Sequence, residues 1–189
     1  MSTKLSPGLL LSTPSLGCPV FERSLVLLVE HGEEGAFGFM INRPAGIDMP
    51  DILEALGLAA PADLRLRVPV MLGGPVTPET GWVVFDPRGL SFDYSEATQI
   101  TDHLFVSTSV DTLASLTQES GLESIVMILG YAGWGPGQLD QEILEGSWIP
   151  LDLDPSLVFG VPADERWNAA YMTLGVTPGQ MARPIVAEA

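Results

Sequence analysis

The chain has 189 residues, 46% hydrophobic and 17% charged, with 24 acidic residues against 8 lysines and arginines, for a formal net charge of −16. That length and apolar content allow a real core, since a domain of this size removes roughly 70% of its unfolded surface from water. The charge opposes direct nucleic-acid binding, which needs several cations on one face, no apolar run approaches the ~20 residues that span a bilayer, and the single cysteine, Cys18, forms no internal disulfide.

Taken in chain order, Leu5 to Ser12 and Leu25 to Glu30 read as strands. The second alternates too little to be half exposed, which predicts cover on both faces. Gly32 to Gly35 makes a polar turn, and Phe37, Phe39 and Ile41 recur at period two in the return strand of a hairpin. Asp48, Pro50 and Asp51 open a short helix ended by Gly57, and Ala59 to Asp63 reads as a loop. Val68 to Leu72 and Trp82 to Phe85 are short strands on either side of a Gly-Gly-Pro turn, Asp86 to Ala97 is a polar loop, and His103 to Ser107 is another strand.

Thr108 or Ser109 caps a helix from Val110 to Ser120, with Val110, Leu113, Ala114 and Thr117 on one face and Gly121 at its end. Ser124 to Leu129 is a buried strand expected to stop at Gly130, the first of four glycines in eight residues, and Pro136 opens a helix to Glu145. Ser147 to Asp152 forms a last strand. Trp167, Ala170, Tyr171 and Leu174 place a helix over Asp164 to Leu174, stopped by Gly175, and a loose tail runs from about residue 178. Short hairpins mixed with about four helices, without strict alternation, indicate an α+β fold. With no internal linker, residues 1 to 189 read as one domain.

Two histidines, His31 and His103, and one cysteine in no ligand spacing offer no zinc or iron site. The glycine-rich turn lacks both the Lys-Ser/Thr of a P-loop and the G-x-G-x-x-G spacing, so it reads as structural. Its Tyr131 and Trp134 read as core. Gln138 and Glu142, four apart, share a helical face. Glu30, Glu33 and Glu34 surround His31 and favour its charged form, although a turn histidine bonded to backbone is the plainer case. Asn42 and Arg43 end a strand before Pro44, where Arg43 can clamp a carboxylate, Glu142 or Glu30 first. The N-terminus imitates a lipoprotein signal ending at Cys18, but Pro7 breaks its short apolar part and Ser15 stands where leucine is expected. The cytoplasm is the expected compartment.

Along GLLLSTPSLG, PVFERS, EHGEEGAFGFMINRP, VMLGGPV, GYAGWGPGQLDQEI and Arg166-Trp167, the chain resembles the YqgE/AlgH family of bacterial proteins. The resemblance implies curved, branching, mostly antiparallel mixed β-sheets packed by helices in a soluble cytosolic protein. It carries a transcriptional-regulator label for one branch but no DNA-binding and no catalytic residues. Cys18 stands where similar proteins usually have an acid, and Val29 where they often have cysteine, so no thiol role carries over to that second place.

The expectation is a non-catalytic binding or regulatory domain, with neither metal nor cofactor, that recognises a protein or small molecule. Its candidate surface comprises Glu30, His31, Asn42, Arg43, Trp134, Gln138 and Glu142. The alternative is a hydrolase using carboxylates with His31 or Arg43; convergence of Glu30, His31, Arg43 and Glu142 on one pocket would favour it.

Overall fold

The computed structural model describes residues 5–61, 68–119 and 124–181. Leucine-rich segments at the start pair as β1 (Gly8–Ser12) and β2 (Leu25–Gly32), and β2 turns back into β3 (Gly35–Met40). There follow α1 (Met49–Ala55), β4 (Val70–Leu72), β5 (Val76–Phe85), β6 (Thr98–Thr101), β7 (Leu104–Ser107) and α2 (Val110–Gln118). The chain continues through β8 (Ile125–Trp134), α3 (Gln138–Leu144) and β9 (Trp148–Leu151), and then a π-helical turn (Ser156–Gly160), α4 (Arg166–Thr173) and α5 (Pro178–Met181). The fold is α+β: the strands form one sheet in the order β6-β7-β5-β8-β3-β2-β1-β9, curled into a half-barrel, with β4 added in parallel to β8.

The uninterrupted apolar runs have a direct explanation, because both faces of the central strands are covered. Leu9, Leu11, Leu25, Leu27, Phe39 and Ile41 pack with Leu157, Val158, Trp167 and Tyr171 from the π turn and α4. The alternate residues Leu10, Val26, Leu28 and Met40 pack on the other face with Trp134, Leu139 and Trp148. At the far end of the sheet, Val83, Phe85, Ile125 and Met127 meet Met49 and Leu53 of α1 and Leu113 and Leu116 of α2. Each such fully buried side chain contributes about 1.5–3 kcal/mol of transfer free energy.

β8 holds the sheet together and departs from expectation. It does not end at Gly130 but runs on to Trp134, so that Ile125–Leu129 pairs with β5 and Ala132–Trp134 with β3. Gly130, at φ +68, carries the strand past the Gly73-Gly74 turn, where a Cβ would sit 2.6 Å from the Gly74 carbonyl oxygen. A Cβ on Gly74 would collide with the Tyr131 backbone in turn. These glycines therefore permit backbone contact between two distant motifs. The following helix starts at Gln138 with Gly137 as its left-handed N-cap, which leaves Pro136 in the turn before it and not in its first turn.

Other expectations shift as well. β6 forms after the expected loop, in a stretch between it and the expected strand at His103 that carried no assigned element, and β5 begins at Val76 because a bulge between Val76 and Gly81 lets the strand keep pairing with β8. On α2 the buried residues are Thr112, Leu113, Leu116 and Thr117, while Val110 is 44% exposed, so the buried face is rotated from the one expected. Residues 178–181 are helical within the expected loose tail. The end of that tail, Asp63 and Gly121 lie outside the described residues.

Candidate functional site

The β2–β3 hairpin supplies the first part of the site. A bulge between Leu28 and Glu30 shifts the register so that Glu30 faces Phe37, His31 faces Ala36 and Gly32 faces Gly35. Bulges re-aim side chains in this way. Gly35, at φ +127, brings the hairpin tip against the Trp134 carbonyl, closer than any Cβ would permit. Between the tip and the end of β8 lies a groove of about 460 Å³. Its apolar lining comes from Val29, Ala36, Phe37 and Trp134, and the exposed Glu30, Glu33 and Glu34 supply its charge.

His31 joins this hairpin to α3. Its side chain is only 6% exposed, and Nε2 lies 3.1 Å from Oδ2 of Asp140, which is 54% exposed. The sequence expectation missed Asp140 because it followed the Gln138–Glu142 face and passed over the residue between them. An acidic residue in the first turn of a helix was the available signal.

Glu142 and Gln138 brace the groove from behind. Glu142 Oε2 accepts the indole N–H groups of Trp134 at 3.0 Å and Trp148 at 2.8 Å. Its Oε1 accepts Gln138 Nε2 at 2.8 Å, and Gln138 Oε1 accepts the Gly135 backbone N–H at 3.0 Å. Phe21 stacks on Trp134 and meets Trp148 edge-on, with centroids 6.1 and 5.7 Å away. This polar chain satisfies the two indole N–H groups and fixes the Trp134 ring that lines the groove.

Asn42 and Arg43 stand at the other end of the hairpin. Asn42 Oδ1 accepts the Leu25 N–H and its Nδ2 donates to the Arg23 carbonyl, both at 2.8 Å. Arg43 donates to the carbonyls of Glu22 at 3.0 Å and Pro19 at 3.5 Å. The expected carboxylate partner for Arg43 is thus corrected: among the described residues none lies within ion-pair distance, because its fork caps a backbone turn and Glu142 is engaged by the indoles. Of the seven candidates, Glu30, His31 and Trp134 line one groove, Gln138 and Glu142 support it, and Asn42 and Arg43 hold a separate turn.

Elsewhere, Arg166 is 3% exposed and donates to the carbonyls of Val161 at 2.8 Å and of Ile41. Burial lowers its pKa to about 10. Among the described residues no cluster of three or more His, Cys, Asp or Glu side chains could hold a metal ion, and no helix is long and apolar enough to cross a membrane.

The site thus sits on a curled α+β sheet in which the Gly73-Gly74 turn packs backbone to backbone against β8, with the hairpin groove beside the Trp134 indole. The model of the family described as DUF179, AlgH-like, matches residues 9–179, and the chain belongs to that family. It is 42% identical over 180 residues to a UPF0301 protein of Anaeromyxobacter sp. (strain Fw109-5), covering 93% of this chain and 90% of the relative. Against a UPF0301 protein of Chromobacterium violaceum it is 36% identical over 184 residues, 97% of each chain. The solution structure of the AlgH protein from Pseudomonas aeruginosa is similar at TM-score 0.76 and 35% identity, over 99% of this chain and 98% of that one. A crystal structure of a protein from Corynebacterium diphtheriae, 20% identical, shares the fold at TM-score 0.72 over 95% and 92% of the two chains.

Proposed function

We propose that this protein is a non-catalytic binding domain whose hairpin groove receives a basic segment of a partner protein. One observation carries the reading: an apolar floor of Val29, Phe37 and Trp134 lies in the same groove as the exposed Glu30, Glu33 and Glu34. A lysine or arginine side chain matches both parts, since its stem packs on apolar surface while its head meets carboxylates. The net charge of −16 adds long-range attraction for such a partner. A regulatory role then runs through protein contact and not through DNA, which the same charge repels. The hydrolase alternative has the His31–Asp140 pair in its favour, but Arg43 and Glu142 are committed to other partners.

The test is a ¹H–¹⁵N titration with a short Lys/Arg-rich peptide and the same peptide carrying Glu in place of its cations. Saturable shifts at Glu30 to Phe37 and at the Trp134 indole N–H are expected with the first peptide only. They should be lost in a Glu30→Gln, Glu33→Gln, Glu34→Gln variant. Equal response to both peptides, or none to either, would sink the proposal.

A further inference from the structure

We infer that the groove between the Arg23 turn and the C-terminal helices is a second binding site, for a small organic monocarboxylate with an apolar body.

The argument begins with backbone conformation. Arg23 adopts φ 53, a left-handed conformation that a long side chain rarely takes. The surrounding structure enforces it. Asn42 bonds the Arg23 carbonyl and the Leu25 N–H, and Arg43 caps the carbonyls just before, at Pro19 and Glu22. Strain held in place from several sides points to a use for the residue it orients. Here the result is that the Arg23 guanidinium sits over the Trp167 ring, 4.9 Å from its centroid.

The ring beneath is itself fixed. Trp167 Nε1 donates to the carbonyl and the hydroxyl of Ser12, at 3.0 and 3.1 Å, and Tyr171 donates to the same carbonyl at 3.0 Å. Ser12 Oγ in turn accepts the Ser24 N–H at 2.7 Å, one residue past Arg23. Cation and ring are therefore positioned by one buried network.

Arg23 is exposed, and among the described residues no carboxylate reaches it and no hydrogen bond uses its guanidinium. It lines a groove of about 350 Å³ whose apolar walls include Pro14, Trp167 and Pro178. That volume falls within the range of small-molecule sites, roughly 300–1,000 Å³. A guanidinium fork matches a carboxylate bidentately. Glu22 also lines the groove and the chain is strongly acidic, so a single negative charge is tolerated better than the dianion of a phosphate. The site is independent of the hairpin groove proposed above.

The experiment follows the Trp167 indole N–H by ¹H–¹⁵N spectroscopy during titration with benzoate, with benzylamine and inorganic phosphate as comparators. Benzoate should shift Trp167 and Asn168 saturably, and the other two should not. Arg23→Gln should weaken benzoate binding about tenfold or more. Arg23→Lys, which keeps the charge but loses the fork, should fall between, and Asp111→Asn, an exposed acid on α2, should match wild type. A spectrum superimposable on wild type away from the turn verifies that each variant is folded. Absence of saturation, a benzoate affinity untouched by Arg23→Gln, or equal binding of phosphate would overturn the assignment.

Discussion

Trp134 and Trp148 lie edge to face, 5.8 Å between centroids, and donate their indole N–H groups to the same oxygen of Glu142. One carboxylate thus ties the end of β8 to the start of β9 across α3. Glu142→Ala would leave both indole donors without a partner, and each buried donor so orphaned costs about 1–3 kcal/mol. Glu142→Gln can restore the acceptor only by turning its amide N–H₂ toward that of Gln138, whose own oxygen is held by Gly135. Urea unfolding should therefore rank wild type above Glu142→Gln above Glu142→Ala. A Glu142→Ala variant as stable as wild type would show that the pair is held by packing alone.

The turn at Pro19 to Arg23 depends on Asn42 more than on Arg43. Asn42 makes two bonds of 2.8 Å to backbone, whereas one of the Arg43 bonds is at 3.5 Å. Asn42→Ala should lose about 1–3 kcal/mol and Arg43→Ala about 1 kcal/mol. Melting curves that reverse this order would refute the assignment.

Close backbone approach between the Gly73-Gly74 turn and β8 predicts a severe effect from a minimal change. Gly74 has φ +156, and an added Cβ would meet the Tyr131 backbone, which cannot swing aside as a side chain can. Gly74→Ala should cost about 3 kcal/mol or more, through overpacking and backbone strain together. At Gly57, also at positive φ but with open space around it, the alanine change should cost only about 1–2 kcal/mol. Equal losses at the two sites would contradict the packing argument.

Asp86 gives a pH signature. It is 4% exposed, and burial opposes its ionisation, yet hydrogen bonds from the Arg88 side chain and backbone, with the charges of Arg88 and His103, hold its pKa below the ordinary 3.8. A carboxylate depressed in the folded state stabilises the protein fully above its unfolded pKa and loses that contribution as pH falls through the folded one. Asp86→Asn should therefore be less stable than wild type near neutrality, and the gap should close below pH 3.8. Stability measured from pH 7 to pH 2 checks this, and a gap that widens on acidification would disprove it.

The doubly covered strands were legible because Leu25 to Leu28 leave no polar position for water, and α4 because Trp167, Ala170 and Tyr171 fall on one helical stripe. β6 was hidden, since Thr-Gln-Ile-Thr carries one apolar residue and forms only by pairing with β7. The extent of β8 was hidden too: four glycines signal a turn locally, and only contact with the distant Gly73-Gly74 segment turns Gly130 into a point of passage. For the candidate surface, sequence placed Glu30 and His31 at a strand end and Trp134 in the glycine-rich turn that follows another. It could not show that Asp140 meets His31 or that Asn42 and Arg43 face away to a different turn.

Composition and order of residues by themselves determined the charge, the α+β class and the strands whose burial is continuous, because these depend on local periodicity and on the sum of side-chain properties, while the family followed from the resemblance of its motifs. Tertiary structure alone decided which polar groups serve the fold and which stay open. A carboxylate such as Glu142 is consumed when two indoles separated by a helix converge on it, and a cation such as Arg23 stays available when a strained turn holds it over a ring with no acid among the described residues in reach. Hydrogen-bond partners far apart in the chain are fixed by the curl of the sheet, and no window of sequence contains that information.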